Sequence, residues 1–199
     1  MNNDHALNVL SGEFINLRPL DLSDAELTLG WRQSERASLL NKGAENVEQQ
    51  ARWIASRPAS ELNFVIELKD GRPVGMLSLT SIDHVNSRAE SSRFLIGEEA
   101  AVQGVPVAAE AMLLLYELAF DRLGLHRVYG TVAGDNVRMI KWQLFMGMAQ
   151  EGRLQDHYFI NGHFQDAVCL GLLEPSFRRV ALPRLKAMVT AGRLRIAQP

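Results

Sequence analysis

The apolar positions of this chain follow two periods, and the two periods alternate along the sequence. Residues 13–20 alternate apolar and polar side chains, which is typical of a strand with one buried face. Further strand-like runs are 62–68, 74–80, 89–96, 127–133, 150–159 and 164–172. Helical spacing falls between them, near 24–34, 46–57, 107–123 and 137–146. This order predicts the α/β class, a mixed central sheet flanked by helices.

Capping and turn residues set the boundaries of these elements. Ser23 or Asp24 is placed to cap the first helix, and Asn46, with Gln49 three residues later, begins the second in a capping-box arrangement. Gly124 and Gly147 are expected to end the third and fourth helices. The Asp-Gly pair at 70–71 and the Asn-Gly pair at 161–162 favour the tight turns of two β-hairpins.

Composition narrows the class of protein. The 199 residues include a single cysteine, and no Cys/His spacing suits a metal, so neither a disulfide framework nor a metal site is expected. The longest apolar stretch, 108–120, contains Glu110 and Glu117 and is shorter than the roughly 18–20 residues that cross a bilayer. The first ten residues lack the basic and apolar regions of a signal peptide. We therefore expect a cytoplasmic protein with no membrane partner.

Charge separates a C-terminal tail from the rest of the chain. The net charge is -2, yet all the charged residues after Glu174 are basic. We expect one domain over residues 1–174 and a basic, helical extension over 175–199. Such a tail can bind nucleic acid, but an Arg-rich helix more often docks on its own acidic body or on a partner subunit. A homodimer stays open, and nucleic acid is not expected as the primary partner because the body has no basic stripe interleaved with aromatic residues.

The loop before the third helix is the most informative segment for chemistry. It runs between a strand and a long helix, where unpaired main-chain N–H groups and the helix dipole favour an anion such as phosphate. Its residues are Gln103, Gly104, Val105, Pro106, Val107 and Ala108. A strand-to-helix loop with one glycine is common, so the loop alone is a weak signal.

The order of motifs around this loop resembles the GCN5-related N-acetyltransferase (GNAT) superfamily. The matching segments are Ile15-Asn-Leu-Arg-Pro-Leu20, Trp31-Arg32, Arg88-Ala-Glu90, Leu123-Gly-Leu-His-Arg-Val128, Asn136, and Glu151-Gly-Arg-Leu154 through Asp166. The resemblance covers about residues 13–174. It is most similar to the branch of ribosomal-protein N-terminal, spermidine and flagellar sugar-nucleotide N-acetyltransferases.

The resemblance implies a fold and a cosubstrate. The sheet is expected to splay between strands 89–96 and 127–133, and acetyl-CoA to enter the gap. Leu95 and Ile96 would offer main-chain groups to the pantetheine arm, and the loop from Gln103 to Ala108 would hold the pyrophosphate. Asn136 would bond the cofactor arm near the thioester and so take part in catalysis. The implied reaction is direct transfer of acetyl to a primary amine, without a metal.

Two positions depart from the family pattern. Pro106 stands where the phosphate loop commonly has a glycine, and a proline removes one N–H donor. Gln143 stands where a tyrosine commonly protonates the departing thiolate, and an amide cannot serve as an acid. A thiol with a pKa near 8.5 leaves readily without that help. The departures nevertheless support an alternative, a noncatalytic interaction or regulatory module with weakened CoA binding.

Glu90 is the leading candidate for the base that collects the proton of the amine. The structural alternative is a solvated strand glutamate paired with Arg88 or Arg93. His84 and His157 also titrate near neutral pH, although a surface role is the more common one for such histidines.

The first two helices and the last hairpin are expected to border the acceptor. The residues proposed to bind it are Trp31, Arg32, His157 and Tyr158. Trp31, like Trp53, is by itself more typical of a core. Arg32 would suit an acceptor that bears phosphate or carboxylate, whereas a polyamine would call for acidic clusters. An amino-sugar nucleotide, a polyamine, a protein or peptide N-terminus and another small amine all remain open.

Overall fold

The computed structural model describes residues 9–41 and 43–196, and its centre is one eight-stranded sheet. The strands are β1 (Leu10–Ser11), β2 (Ile15–Pro19), β3 (Leu62–Leu68), β4 (Pro73–Asp83), β5 (Arg88–Ile96), β6 (Arg127–Ala133), β7 (Ala149–Ile160) and β8 (His163–Leu173). Their order in the sheet is β1-β2-β3-β4-β5-β6-β8-β7. Only the β5–β6 pair is parallel among these strands, so the predicted mixed sheet is confirmed.

Helices connect the strands where the sequence predicts them. They are α1 (Ala25–Gln33), α2 (Val47–Ala55), α3 (Val107–Glu117), α4 (Val137–Phe145), α5 (Glu174–Ser176) and α6 (Leu182–Ile196). A π-helical turn, Leu118–Arg122, extends α3, and another, Phe177–Ala181, joins α5 to α6. We call α5, this second turn and α6 together the C-terminal helix.

The predicted caps and turns form as expected. The side-chain oxygen of Asn46 accepts from the N–H of Gln49 at 2.9 Å, and that of Asn136 accepts from Met139 at 3.2 Å. Asn161 and Gly162 both have positive φ, +53° and +83°, as a two-residue hairpin turn requires. The sequence pattern does not predict strand β1, because two residues cannot display a period.

The feature that shapes the site is the short pairing between β5 and β6. The pairing covers three positions and ends where Glu90 lies beside Tyr129. On its other edge, β6 stays paired with β8 as far as Ala133. The two parallel strands therefore separate after Glu90, and the sheet is splayed at the place that the sequence predicts.

The main core lies between the sheet, α3 and the C-terminal helix. Phe120 and Phe177 stack with ring centroids 4.7 Å apart, and Tyr116 meets Phe177 edge-on at 6.0 Å. All three rings are buried. Because Phe177 belongs to the C-terminal helix, that helix shares one core with the rest of the chain.

Ion pairs fasten the basic C-terminal helix to acidic residues of the body. Arg178 lies 2.6 Å from Asp121, Lys186 lies 3.9 Å from Glu117, and Arg193 pairs with Glu13. The docking places the tail on its own chain. The boundary at residue 174 stays a prediction, and the last three residues of the predicted extension, 197–199, lie outside the described residues.

Two further observations bear on the sequence predictions. Within residues 9–41 and 43–196, every helix is too short or too polar to cross a membrane. In the same part of the chain, no three His, Cys, Asp or Glu side chains gather in a way that could hold a metal ion. Residues 1–8, which make up most of the segment that lacks the pattern of a signal peptide, lie outside the described residues.

Candidate active site

The splay between β5 and β6 opens into a cleft of about 1570 Å³ that α1, α2 and α4 border. Seven of the predicted site residues line this cleft. They are Arg32, Glu90, Leu95, Ile96, Ala108, Asn136 and Tyr158. They come from five separate elements, so the fold assembles them in one place.

The cofactor end of the cleft is formed by the first turn of α3. The N–H groups of Ala108 and Ala109 have no acceptor within the described part of the chain, whereas the N–H of Val107 is bonded to the carbonyl of Val105 at 2.9 Å. Unpaired donors at a helix N-terminus suit a phosphate. Ala108 lies at the cleft wall. The donors present therefore fit the pyrophosphate of an acyl-CoA.

The other loop residues support this turn rather than line the cleft. Gln103, Gly104, Val105, Pro106 and Val107 lie outside the lining, and Gly104 adopts a φ of +79° that favours glycine.

Pro106 packs against the C-terminal helix. A Cβ built at Gly192 would lie 2.5 Å from the Cγ and Cδ atoms of the Pro106 ring. The proline that departs from the family pattern therefore has a packing partner within the chain.

A buried carboxylate anchors α3 from the side opposite the cleft. Glu110 accepts main-chain N–H bonds from Glu13 at 2.5 Å, Phe14 at 2.8 Å and Ile15 at 2.9 Å. Glu110 is only 2% exposed, and three such bonds satisfy a buried charge. Because Glu13 also pairs with Arg193, β2, the start of α3 and the C-terminal helix are held together.

The thioester region of the proposed cosubstrate would meet β5 and α4. Leu95 and Ile96 are buried, and they lie beyond Glu90 on the edge of β5 that has lost β6 as its partner. Their main-chain groups on that edge face the cleft. Asn136 caps α4 with its side-chain oxygen, which leaves its amide nitrogen as the group available to a ligand.

Glu90 sits at the point where the strands separate. The hydroxyl of Thr80 donates to its carboxylate at 3.5 Å. The pairing with arginine that served as the structural alternative does not form, because Arg93 pairs with Glu61 at 2.9 Å and Arg88 with Asp83 at 3.4 Å. Burial raises the pKa of the Glu90 carboxyl above its usual value, against the Thr80 hydrogen bond and the charge of Arg93, which lower it.

The acceptor end of the cleft is lined by charged and aromatic side chains. The guanidinium groups of Arg57 and Arg93 lie 4.4 Å and 5.1 Å from the ring centroid of Trp53. On the opposite wall, the hydroxyls of Tyr158 and Thr131 are 2.6 Å apart. These contacts fix the walls of the acceptor end with polar side chains from distant segments.

Two predicted acceptor residues lie elsewhere. Trp31 is 4% exposed, its indole N–H donates to Glu98 at 2.9 Å, and a Cβ at Gly97 would overlap its ring, so it packs in the core beneath α1. His157 is exposed on β7 and meets the ring of Tyr158 edge-on at 4.7 Å. Because side chains alternate along a strand, His157 and the cleft-lining Tyr158 point to opposite faces. His84 is exposed and lies outside the cleft lining.

Gln143 is buried in the cleft wall and has a structural partner. The hydroxyl of the fully buried Tyr116 donates to its side-chain oxygen at 3.3 Å. The residue at the second departure therefore satisfies a polar group of the core.

Several cleft residues carried no signal in the sequence. Thr80 and Thr131 are isolated threonines in strands, and Arg36, which pairs with Glu99 at 2.6 Å, comes from a short helical turn after α1. Only the fold brings these side chains to the cleft.

The comparisons agree with this geometry. The family model described as "Acetyltransferase (GNAT) domain" matches residues 15–149. The chain belongs to the GNAT acetyltransferase family. Membership implies an acyl-CoA cosubstrate.

Relatives of known name cover part of the chain. Spermidine N(1)-acetyltransferase of Escherichia coli (strain K12) is 32% identical over 118 residues, 59% of this chain and 61% of the relative. The Bacillus subtilis (strain 168) protein named "Putative ribosomal N-acetyltransferase YdaF" is 35% identical over 107 residues, 54% of this chain and 57% of that protein. The chain thus aligns with 61% of the length of the first relative.

Solved structures share the fold. A chimera of Vibrio cholerae spermidine N-acetyltransferase SpeG and hSSAT superposes with a TM-score of 0.75 at 22% identity, covering 84% of this chain and 99% of the chimera. An acetyltransferase from T. thermophilus gives a TM-score of 0.75 at 24% identity, covering 90% of this chain and 96% of that one. At these identities the likeness concerns the fold alone.

Proposed function

We propose that this chain transfers the acetyl group of acetyl-CoA directly to a primary amine. The observation that carries the proposal is the placement of Glu90 at the last paired position before β5 and β6 separate, in the same cleft as the unpaired N–H of Ala108. One end of the cleft offers donors for a pyrophosphate, and its middle offers a base for the amine.

The residues have the following parts in the reaction. Glu90 accepts a proton from the amine, and its raised pKa makes it a stronger base than an ordinary glutamate while it stays ionised at neutral pH. The neutral amine attacks the thioester carbon, so a C–N bond forms and the C–S bond breaks. Sulfur leaves with the electron pair as a thiolate, which needs little acid help because its pKa is low. Gln143 supplies no proton in this scheme.

The acceptor is open among the classes that the relatives suggest. A polyamine, a ribosomal-protein N-terminus and an amino-sugar nucleotide all offer a primary amine. The second candidate function, a noncatalytic module, rests on Pro106 and Gln143, each of which has a packing partner inside the chain. These partners give both departures a structural reason that is independent of activity.

The test is release of CoA thiol from acetyl-CoA with a panel of amines, read against a reaction without acceptor, with the acetylated amine identified by mass spectrometry. We expect acceptor-dependent thiol release in at least one class. A thermal shift with acetyl-CoA runs in parallel, since ligand at 100 times its dissociation constant stabilises a protein by about 2.7 kcal/mol. No thiol release and no shift at millimolar acetyl-CoA would favour the noncatalytic module.

A further inference from the structure

Arg32 differs from the other partly buried arginines that line the cleft. It lies in the last turn of α1, is half-buried, and donates to the main-chain carbonyl of Asn41. Gly43 lies beside it, since a Cβ built there would be 3.6 Å from the Nε and Nη2 atoms of the guanidinium. The residues around Arg32 thus belong to the segment between α1 and α2.

No carboxylate of the described residues lies within ion-pair distance of Arg32. The comparison with neighbouring arginines is direct, because Arg93 pairs with Glu61 at 2.9 Å and Arg36 pairs with Glu99 at 2.6 Å. Burial lowers the pKa of the Arg32 guanidinium, and the like charge of Arg93 lowers it further. A guanidinium does not give up its proton in a protein, so the positive charge remains in the cleft.

A partly buried charge without a counter-ion is costly, and a bound anion removes that cost. The flat fork of a guanidinium matches a phosphate or carboxylate with two parallel hydrogen bonds. Arg32 neighbours Asn41, Gly43 and Arg93, whereas the donors proposed for the pyrophosphate neighbour the C-terminal helix through Pro106. The cleft therefore offers two separate places for negative charge.

We propose that the acceptor amine carries a phosphate or carboxylate group and that Arg32 binds this group. The inference rests on the proposed function. Arg32 and Arg93 on the same wall repel a polycation, so a polyamine is a poorer acceptor than an amine of similar size that bears an anion. Arg32 holds the acceptor by its anionic group while the amine reaches Glu90.

The test uses matched amines that differ in one anionic group. The pairs are glucosamine with glucosamine 6-phosphate, ethanolamine with phosphoethanolamine, and β-alaninamide with β-alanine, and spermidine is the cationic probe. For the unmodified chain we expect kcat/KM to be at least about tenfold higher for the anionic member of the best pair, the ratio that about 1.4 kcal/mol of binding difference gives. We expect spermidine to be the poorest substrate.

Variants assign the preference to a residue. Arg32→Gln should bring the ratio within a pair close to one by raising KM for the anionic member, and Arg32→Lys should keep part of it. The control is Arg138→Gln, which removes an exposed arginine at the edge of the same cleft and should leave the ratio unchanged. Folding of each variant is checked by its melting temperature.

Three results would overturn the inference. Neutral amines or spermidine could be preferred. The ratio could survive Arg32→Gln. Arg32→Gln could weaken acetyl-CoA binding and leave the ratio intact, which would assign Arg32 to the cosubstrate. In each of these cases the proposed function stands, because thiol is still released, whereas absence of thiol release with every amine would overturn the proposed function together with this inference.

Discussion

The two ends of the cleft are built by different means. At the cofactor end, the donors are main-chain N–H groups at the start of α3, fixed by packing against the C-terminal helix through Pro106 and Gly192. At the acceptor end, the surface is made of charged side chains, with Arg93 held by Glu61 and Arg32 without an acidic partner in the described residues. Main-chain donors read what every acyl-CoA shares, whereas side chains can vary with the acceptor.

Ala108→Glu is expected to have the largest effect, because it attacks the cofactor end. A carboxylate at the first turn of α3 would meet the pyrophosphate, and like charges brought together cost several kcal/mol. We expect the Kd of acetyl-CoA to rise at least about a hundredfold, which calorimetric titration measures.

Ala100→Glu serves as the matched control, since it adds the same charge at an exposed position of the preceding loop. Its Kd should stay within about threefold of the parent value. Normal binding by Ala108→Glu would remove the start of α3 from the cofactor end.

Glu90→Gln tests the middle of the cleft, where both ends meet. General acid–base help contributes about 10²–10⁴-fold, and water can replace part of it, so we expect kcat to fall about ten- to a hundredfold. Glu35→Gln, which removes an exposed carboxylate from the same cleft, should leave kcat unchanged. A rate for Glu90→Gln within twofold of the parent across pH 7–9 would exclude Glu90 as the base.

The pH dependence follows from the raised pKa of Glu90. The base must be ionised, so kcat should fall as the pH falls through that pKa, and the fall should begin at a higher pH than for an ordinary glutamate. Glu90→Gln should lose this limb of the profile. An unchanged acidic limb would mean that another group produces it.

Gly192→Ala asks whether the C-terminal helix supports the cofactor end. The added methyl group would press on the Pro106 ring, so the loop must shift, and overpacking of this kind typically costs about 1–3 kcal/mol. We expect the Kd of acetyl-CoA to rise about three- to tenfold with little change in kcat.

Gly30→Ala is the control for this change, because Gly30 lies within α1 with open space around it. Alanine there should stabilise the chain by about 0.5–1 kcal/mol and leave the Kd unchanged. If Gly192→Ala behaves in the same way, the contact with Pro106 has no part in binding.

Gln143→Leu should have the smallest effect on activity and a measurable effect on stability. It leaves the buried Tyr116 hydroxyl without its acceptor, at a cost of about 1–3 kcal/mol in the free energy of unfolding. Tyr116→Phe in the same chain should restore part of the loss. A tenfold fall in kcat for Gln143→Leu, with unchanged stability, would instead give Gln143 a chemical role.

The same contrast explains what the sequence could predict. The strand and helix bounds, the caps at Asn46 and Asn136 and the loop before α3 depend on local pattern, and the structure agrees with them. The ion pair between Arg93 and Glu61 joins residues 32 positions apart on different strands, and no local pattern indicates it.

Trp31 shows the limit within a single motif. Adjacent residues on α1 have different fates, because Trp31 turns into the core against Gly97 while Arg32 turns into the cleft. The position of β8 between β6 and β7 is likewise set by pairing between distant strands. The cofactor end was therefore the more predictable part, and the acceptor end needed the fold.

A crystal structure with bound acetyl-CoA tests the central claim most directly. The account predicts that the pyrophosphate accepts hydrogen bonds from the N–H groups of Ala108 and Ala109, and that the thioester lies between β5 and β6 beside Glu90. A pyrophosphate bound away from the start of α3, or a thioester outside the splay, would contradict it.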